Sequence, residues 1–500
     1  MKYTVRIVSL LLAICLLIVP LAGCAPQRRP LNYLKSVIER SFKKSLGGEV
    51  TALLFEALDG GSVSLSWHGN EPIGGVDAAR ATVYFDREAQ RVAAESLFTL
   101  GDKNYDASLW LSDKSVVASS AAFFGSTTLG VDLHTLEADL AHSIFRNDSG
   151  TAYAVPEIGE GSADAVHTLV QGFFSLYAAT EDMGGLADKH IGVFLKNLTE
   201  HGRCTRYAED GKHFIYLAVD NSMLSCALRD TWARAVKDKA LCRRLREIAS
   251  TRDAMQSAKE GVVYTEWTMQ LENWLQNDAQ IEALCARIDA SAPFLFELNA
   301  TVKKLTGTLE SIGFSYRVDE ANTAFSLDLS KKDTLSLSMI RDGVSHSLTY
   351  QTVNDGWQSY DADLTYTKAG ADGTVLTWQG DVLLDKKQDA FSLTLSQNER
   401  TRVLSGTFCL DGDAFSLSVD RVSEGEQVSP FSLGISILKK AKMPESPQYV
   451  NLATVGEQRI DPVAARAKEA HAALRLSLDK TAFTKKSVLG ALLAPLRFEA

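Results

Sequence analysis

From Phe314 to Leu438, apolar residues alternate with serine, threonine and charged residues at a period of two, and this pattern narrows the fold more than any other in the chain. Phe325, Leu327 and Leu329 alternate with Ser326 and Asp328, and Leu335, Leu337 and Met339 alternate with serines. Tyr360, Ala362, Leu364 and Tyr366 alternate with Asp and Thr. The series continues through Phe391, Leu393 and Leu395, then Phe415, Leu417 and Val419, then Phe431, Leu433, Ile435 and Ile437. Successive side chains of a strand point to opposite faces, so each run makes one apolar and one wetted face. About nine or ten such strands in a row predict a large twisted antiparallel sheet with one side in water. Ala-Phe-Ser-Leu recurs from Ala324, Ala390 and Ala414. Its uneven spacing fits one strand solution reused, not a repeat array.

A second alternating stretch lies upstream, to about residue 130. Val63, Leu65 and Trp67, then Ala79, Ala81, Val83 and Phe85, then Tyr105, Ala107, Leu109 and Leu111 give six or seven strands, roughly, of another meander. Asp59-Gly60-Gly61, Gly69-Asn70, Gly101-Asp102 and Ser112-Asp113 supply turn formers between the runs. Before it, Leu31, Leu34, Ile38, Phe42 and Leu46 recur at helical spacing, with Gly47-Gly48 as the stop. Between the meanders the helical period dominates from Asp132 to about Gly307. Helices are expected over 133–145, 163–180, 222–249 (bent near Asp238), 262–288 and 294–312. One hairpin interrupts them near 205–219, with Asp210-Gly211 at its turn. Gly184-Gly185 reads as a turn or helix boundary. A further helix is expected over 462–478 in a basic tail, docked on the body or facing an anionic bilayer or wall polymer. The expected class is α+β: two strand meanders forming large antiparallel sheet, their apolar face covered by a central helical insert.

The N-terminus speaks to location. Lys2 and Arg6 precede an apolar run from Ile7 to Leu21, shorter than the roughly 20 residues needed to span a bilayer and suited to a signal peptide. Leu21-Ala22-Gly23-Cys24 closes it. This tetrapeptide resembles the lipobox of bacterial lipoproteins, and the resemblance implies a Cys24 carrying a diacylglycerol after cleavage. The alternative is an ordinary signal peptide or an uncleaved anchor with an incidental cysteine. Two acyl chains anchor stably where one does not. The six residues of 25–30 then reach at most ~20 Å, which holds the folded body against the membrane. The expected partition is 1–23 signal peptide, 24–30 lipidated cysteine and tether, 31–130 helix and meander, 131–311 helical region, 312–440 second meander and 441–500 tail.

With 45% hydrophobic and 23% charged residues the body is ordinary globular protein. Its net charge of -10 argues against nucleic-acid partners and against purely electrostatic adhesion to anionic lipid. Beyond Cys15 and Cys24 five cysteines remain: Cys204, Cys226, Cys242, Cys285 and Cys409. Their odd number and spacings fit no zinc site. One disulfide among the first four stands level with a set of buried free thiols.

Catalytic motifs are sparse. Ser41-Phe42-Lys43-Lys44 has the Ser-x-x-Lys spacing of penicillin-binding enzymes without their partner motifs. His134 and Glu137, expected one helical turn apart, could ligate a metal, but a solvated face explains them better. His346, between Val344 and Leu348 on an apolar strand face, reads as a hydrogen-bonded core residue. Asp411-Gly412-Asp413 reads as a hairpin turn, lacking the further ligands of a calcium loop. The basic cluster Arg229, Arg234, Lys237, Lys239, Arg243, Arg244 and Arg246 reads as a solvated helix face, or a contact for phospholipid or wall polymer. No catalytic, cofactor or metal residue is assigned; Cys24 is the one site residue.

The order of helix, meander, helical insert and second meander resembles the LolA-like and LppX-like lipoprotein and lipid carriers, whose curved sheet is closed by helices over an apolar cavity. That resemblance implies a non-enzymatic, membrane-anchored envelope lipoprotein that binds or carries a lipid or other apolar ligand. The alternative is a surface scaffold or adhesin with a solid core, meeting an envelope protein or wall polymer.

Overall fold

The computed structural model describes residues 30–477, apart from 44–45, 74–75, 319–320, 332, 356–358, 386, 398–399 and 425–426. The signal peptide, Cys24 and the tether expected from the sequence lie outside the described residues, as does the tail beyond 477. Helix α1 (Pro30–Lys43) is followed by α2 (Leu46–Gly60), then strands β1 (Ser62–Ile73), β2 (Val76–Asp86), β3 (Arg91–Leu100), β4 (Lys103–Ser112) and β5 (Ser115–Ser119). A short α3 (Ala121–Phe124), β6 (Thr128–Asp132) and α4 (Leu136–Leu140) lead to the long α5 (Ser162–His201). The hairpin β7 (Arg203–Glu209) and β8 (Lys212–Asp220) precedes α6 (Asn221–Ala235), α7 (Lys239–Glu260), α8 (Glu266–Gln276) and α9 (Ala279–Asp289).

The second meander comprises β9 (Phe294–Lys303), β10 (Leu309–Val318), β11 (Ala321–Asp328), β12 (Thr334–Arg341), β13 (Val344–Asp355) and β14 (Ser359–Ala369). It continues through β15 (Val375–Asp385), β16 (Ala390–Gln397), β17 (Arg400–Leu410), β18 (Ala414–Glu424) and β19 (Gln427–Leu438). A two-residue β20 (Val450–Asn451) and α10 (Glu457–Ser477) close the described chain. The class is α+β with a large, mostly antiparallel sheet, as expected.

Local chemistry explains many element ends. Asp210-Gly211 and Asp342-Gly343 both carry positive φ at their two residues, the requirement of a tight hairpin turn whose twist matches its strands. The Asp220 carboxylate accepts from the Met223 N–H at 2.9 Å and starts α6. Asp238 does the same for α7 through the Ala240 and Leu241 N–H groups. The bend expected near Asp238 is therefore a break between two capped helices.

Several expectations are corrected. Gly47-Gly48 does not end a helix but lies in the first turn of α2, and Gly69 sits inside β1, not at a turn. The helix expected over 133–145 shrinks to α4. Gly184-Gly185 lies within α5, which extends to His201; burial at both ends of α5 outweighs the ~1 kcal/mol that each glycine costs a helix. The helix expected over 262–288 is two, α8 and α9. The segment 294–312 is strand, not helix: Phe294, Phe296, Leu298, Ala300 and Val302 are all buried and share one face of β9. A helix would scatter these five around its axis. The strand region thus begins near Phe294 rather than at 312.

The two meanders form one sheet. Its pairings run β7-β8-β9-β10 and onward in sequence to β19, which pairs with β1, and then from β1 to β6. Every pair is antiparallel except β6 with β20. Register keeps most of the large apolar residues on one side. Phe296 faces Tyr316, Leu298 faces Phe314, Phe314 faces Phe325, and Phe325 faces Met339. At the seam Ile437 opposes Val63, and Val63 opposes Val83.

The helices lie on that apolar face and show it to be concave. Leu31, Leu34 and Val37 of α1 pack on Leu217, Phe296, Leu298 and Ala300. Leu53 and Ala57 of α2 pack on Phe415, Ile437 and Val63. Near its start α5 buries Val170 and Phe174 against Leu133 and Leu136, with Val92, Leu111, Val116 and Val131 of β3–β6 around them. Near its end it buries Leu195 and Leu198 against β8 and β9. Along the sheet, β4 and β8 are fifteen strand spacings apart, about 70 Å. Phe174 and Leu195 are only about 32 Å apart along the helix. A sheet bridged by so short a chord must curl toward the helix, leaving β11–β17 as an arch.

Candidate binding face

The inner side of the arch is a ladder of large apolar and aromatic side chains. Leu327, Leu337 and Leu348 stand abreast, and Leu348 continues to Tyr366 and Trp378. Beside them run Tyr350, Leu364, Gly380 and Leu395, and then Ala362, Val382, Leu393 and Leu404. Phe314 stacks on Phe325 with centroids 5.0 Å apart, and on Phe296 at 6.2 Å.

The arch differs from the rest of this face in burial. Over β8 and β9, under the helices, Leu217, Val219, Leu298 and Val302 are at most 1% exposed. Over β11–β16, the large apolar side chains described on this face are half-buried or exposed, and Ala362 is the buried hydrophobic residue. Helix packing is concentrated on β7, β8 and β10 from α1, and on β18, β19, β1 and β2 from α2. Elsewhere on this face Leu65 is 55% exposed and Leu109 43%.

Polar groups are few here and satisfy one another. His346 Nδ1 lies 2.7 Å from the Tyr366 hydroxyl, and their rings stack. The Tyr350 and Tyr360 hydroxyls are in contact, and the Thr352 hydroxyl is 3.0 Å from that of Tyr360. Burial, with Asp333 nearby, raises the Tyr360 phenol above its ordinary value, so at neutral pH it stays a neutral donor and acceptor. Between β14, β15 and β16 a recess of about 360 Å³ is lined by Leu364, Tyr366, Leu376, Trp378 and Leu395, with Lys368 and Gln397 at its edge. An apolar wall with a few convergent polar groups is the usual character of a small-molecule site. Such a wall binds by removing hydrocarbon from water, worth about 25 cal/mol per Å².

Other residues singled out by sequence are dispersed. His134 precedes α4 and is exposed, as is Glu137, and among the described residues no group of three His, Cys, Asp or Glu could hold a metal. Ser41 and Lys43 lie in the last turn of α1, while Lys44 is outside the described residues. Asp411 caps its own hairpin by accepting from the Asp413 and Ala414 N–H groups at 2.8 and 2.7 Å. In the basic cluster, Arg229 pairs with Glu282 at 2.9 Å and Arg244 with Glu247 at 2.7 Å, and Arg246 pairs with Glu272. The five cysteines expected to remain are all free thiols. The pairing of β19 with β1, which joins the two meanders into one face, has no signal in either run alone. Among the described residues no helix is long and apolar enough to cross a membrane. Compared with protein-family models, curated proteins and solved structures, the chain matches none.

Proposed function

We propose that this chain is a membrane-anchored envelope lipoprotein, held through Cys24, whose concave sheet face binds and carries a lipid or another apolar ligand without catalysis. One observation carries the reading: a largely apolar face curls around a space, and among the described residues helices bury it over β7–β10 and pack on part of β18–β2 but do not cover the arch. The half-buried Phe, Leu, Tyr and Trp side chains there gain from any hydrocarbon that displaces water. The short tether after Cys24 keeps such a site within reach of bilayer lipid, the natural source of the ligand.

Purified full-length protein, extracted with organic solvent and examined by mass spectrometry, tests this. A non-covalent lipid in near-stoichiometric amount is expected, and the Cys24→Ser variant retains it while losing firm membrane attachment. An empty extract together with no binding of an apolar dye overturns the carrier reading in favour of a solid-cored scaffold or adhesin.

A further inference from the structure

The opposite, convex face carries a recess of about 640 Å³ where β18, β19, β1 and β2 lie side by side. Its floor is two rungs of small polar residues. Ser416, Ser436, Ser64 and Thr82 stand abreast, followed by Ser418, Gly434, Ser66 and Arg80. The Ser64 and Thr82 hydroxyls are 2.9 Å apart. A Cβ on Gly434 would come within 2.5 Å of the Ser66 hydroxyl, so the centre of the floor stays flat. One wall is the chain beyond β19, fixed by Lys439 N–H to Asp413 O at 2.9 Å and Ala441 N–H to Gly60 O at 3.2 Å. That wall brings Lys440 and Lys442 to the rim, across from Arg80.

All three cations are exposed. Lys442 has Glu445 at 3.9 Å with both side chains about 90% exposed, a pair worth little in water. Among the described residues, Arg80 and Lys440 have no carboxylate within ion-pair distance. Two carboxylates stand beside the recess and bond to its lining: Glu95 accepts from the Tyr84 hydroxyl at 3.2 Å, and Asp420 accepts from Ser418. On a protein of net charge -10, the recess gathers three exposed cations around a floor of hydroxyls.

We propose that this recess binds a phosphodiester-linked polyol, its phosphates held by Arg80, Lys440 and Lys442 and its hydroxyls by the serine ladder. Arginine and lysine supply the charge-assisted donors that phosphate oxygens take. Hydroxyls recurring every ~4.8 Å across the strands suit a repeating chain better than one compact anion. The site stands on the face away from the apolar concavity, so its fate is independent of the carrier reading.

Calorimetric titration of the full-length protein with poly(glycerol phosphate) tests it, beside glycerophosphoglycerol and uncharged dextran. Binding of the polymer is expected, weakening steeply with salt, with dextran silent. Polymer binding at least tenfold tighter than glycerophosphoglycerol assigns a free chain; equal affinity assigns a lipid headgroup of the same chemistry. Arg80→Glu with Lys440→Glu and Lys442→Glu is expected to lower affinity at least tenfold. Ser418→Val with Ser436→Val, which keeps the charge and suits a strand, is expected to lower it at least threefold. Absence of binding, dextran binding as well as the polymer, or an unchanged affinity in the charge-reversed variant with native circular dichroism overturns the proposal.

Discussion

Asp253 shows how one side chain joins two helices. It projects from α7, is 5% exposed, and accepts the Trp267 and Thr268 N–H groups at 3.0 and 2.8 Å, satisfying the first turn of α8. Burial alone would raise its carboxyl, but the Thr268 hydroxyl and the two N–H groups outweigh burial and hold it below the ordinary value. A carboxyl lowered on folding contributes stability that is present above its unfolded value, near 4, and lost as pH falls through the folded one. Asp253→Ala is expected to cost about 1 kcal/mol in urea unfolding at pH 7. Its stability should also fall less than wild type's between about pH 4 and pH 2. An unchanged urea midpoint at pH 7 would contradict this role. Such a cap could not be read from sequence, because Asp253 caps a helix other than its own.

At the scale of elements, the sheet's apolar face works in two ways. Under α1 it is core: Leu34 is 0% exposed among Leu217, Leu298 and Ala300. On the arch, Leu337 lies on the same face, between Leu327 and Leu348, yet is only half-buried. Leu34→Ala is expected to destabilise by about 2–5 kcal/mol, whereas Leu337→Ala should cost about 1 kcal/mol, since truncation there leaves no closed cavity. Chemical denaturation of the ligand-free variants separates them, and equal losses would mean the arch is packed as tightly as the helix-covered end. The strands of 314–438 were legible because Ser/Thr and Phe/Leu alternate without interruption. Phe294–Lys303 was not, because its neighbours Leu295 and the preceding helical residues blur the period. The 40-residue length of α5 was hidden by two glycines that usually mark a boundary.

Over the whole molecule the decisive relations are long-range. That Ile437 faces Val63 and that α5 reaches from β3–β6 to β8–β9 are facts of tertiary assembly with no local signature. Element order and the one-sided strands therefore indicated a sheet and its helical cover, but neither the closure of two meanders into one sheet nor the direction of its curvature. The proposed function rests on curvature, because it turns a half-covered apolar face into a lined concavity while the other face meets water. The faces can be told apart by experiment, since exposed apolar residues occur on both. Leu65, Leu109 and Met339 face inward at 55%, 43% and 36% exposure; Ile340, Val375 and Leu383 face outward at 44%, 62% and 50%. The most direct measurement is labelling of the intact protein with a photoreactive fatty-acyl probe, followed by peptide mapping at residue resolution. Labels are expected on inward residues such as Leu65, Met339, Leu364 and Trp378, alternating along each strand, with Ile340, Val375 and Leu383 unlabelled. Labelling that follows exposure alone, marking Val375 and Leu383 as readily as Leu65, would contradict an apolar ligand site inside the curved sheet.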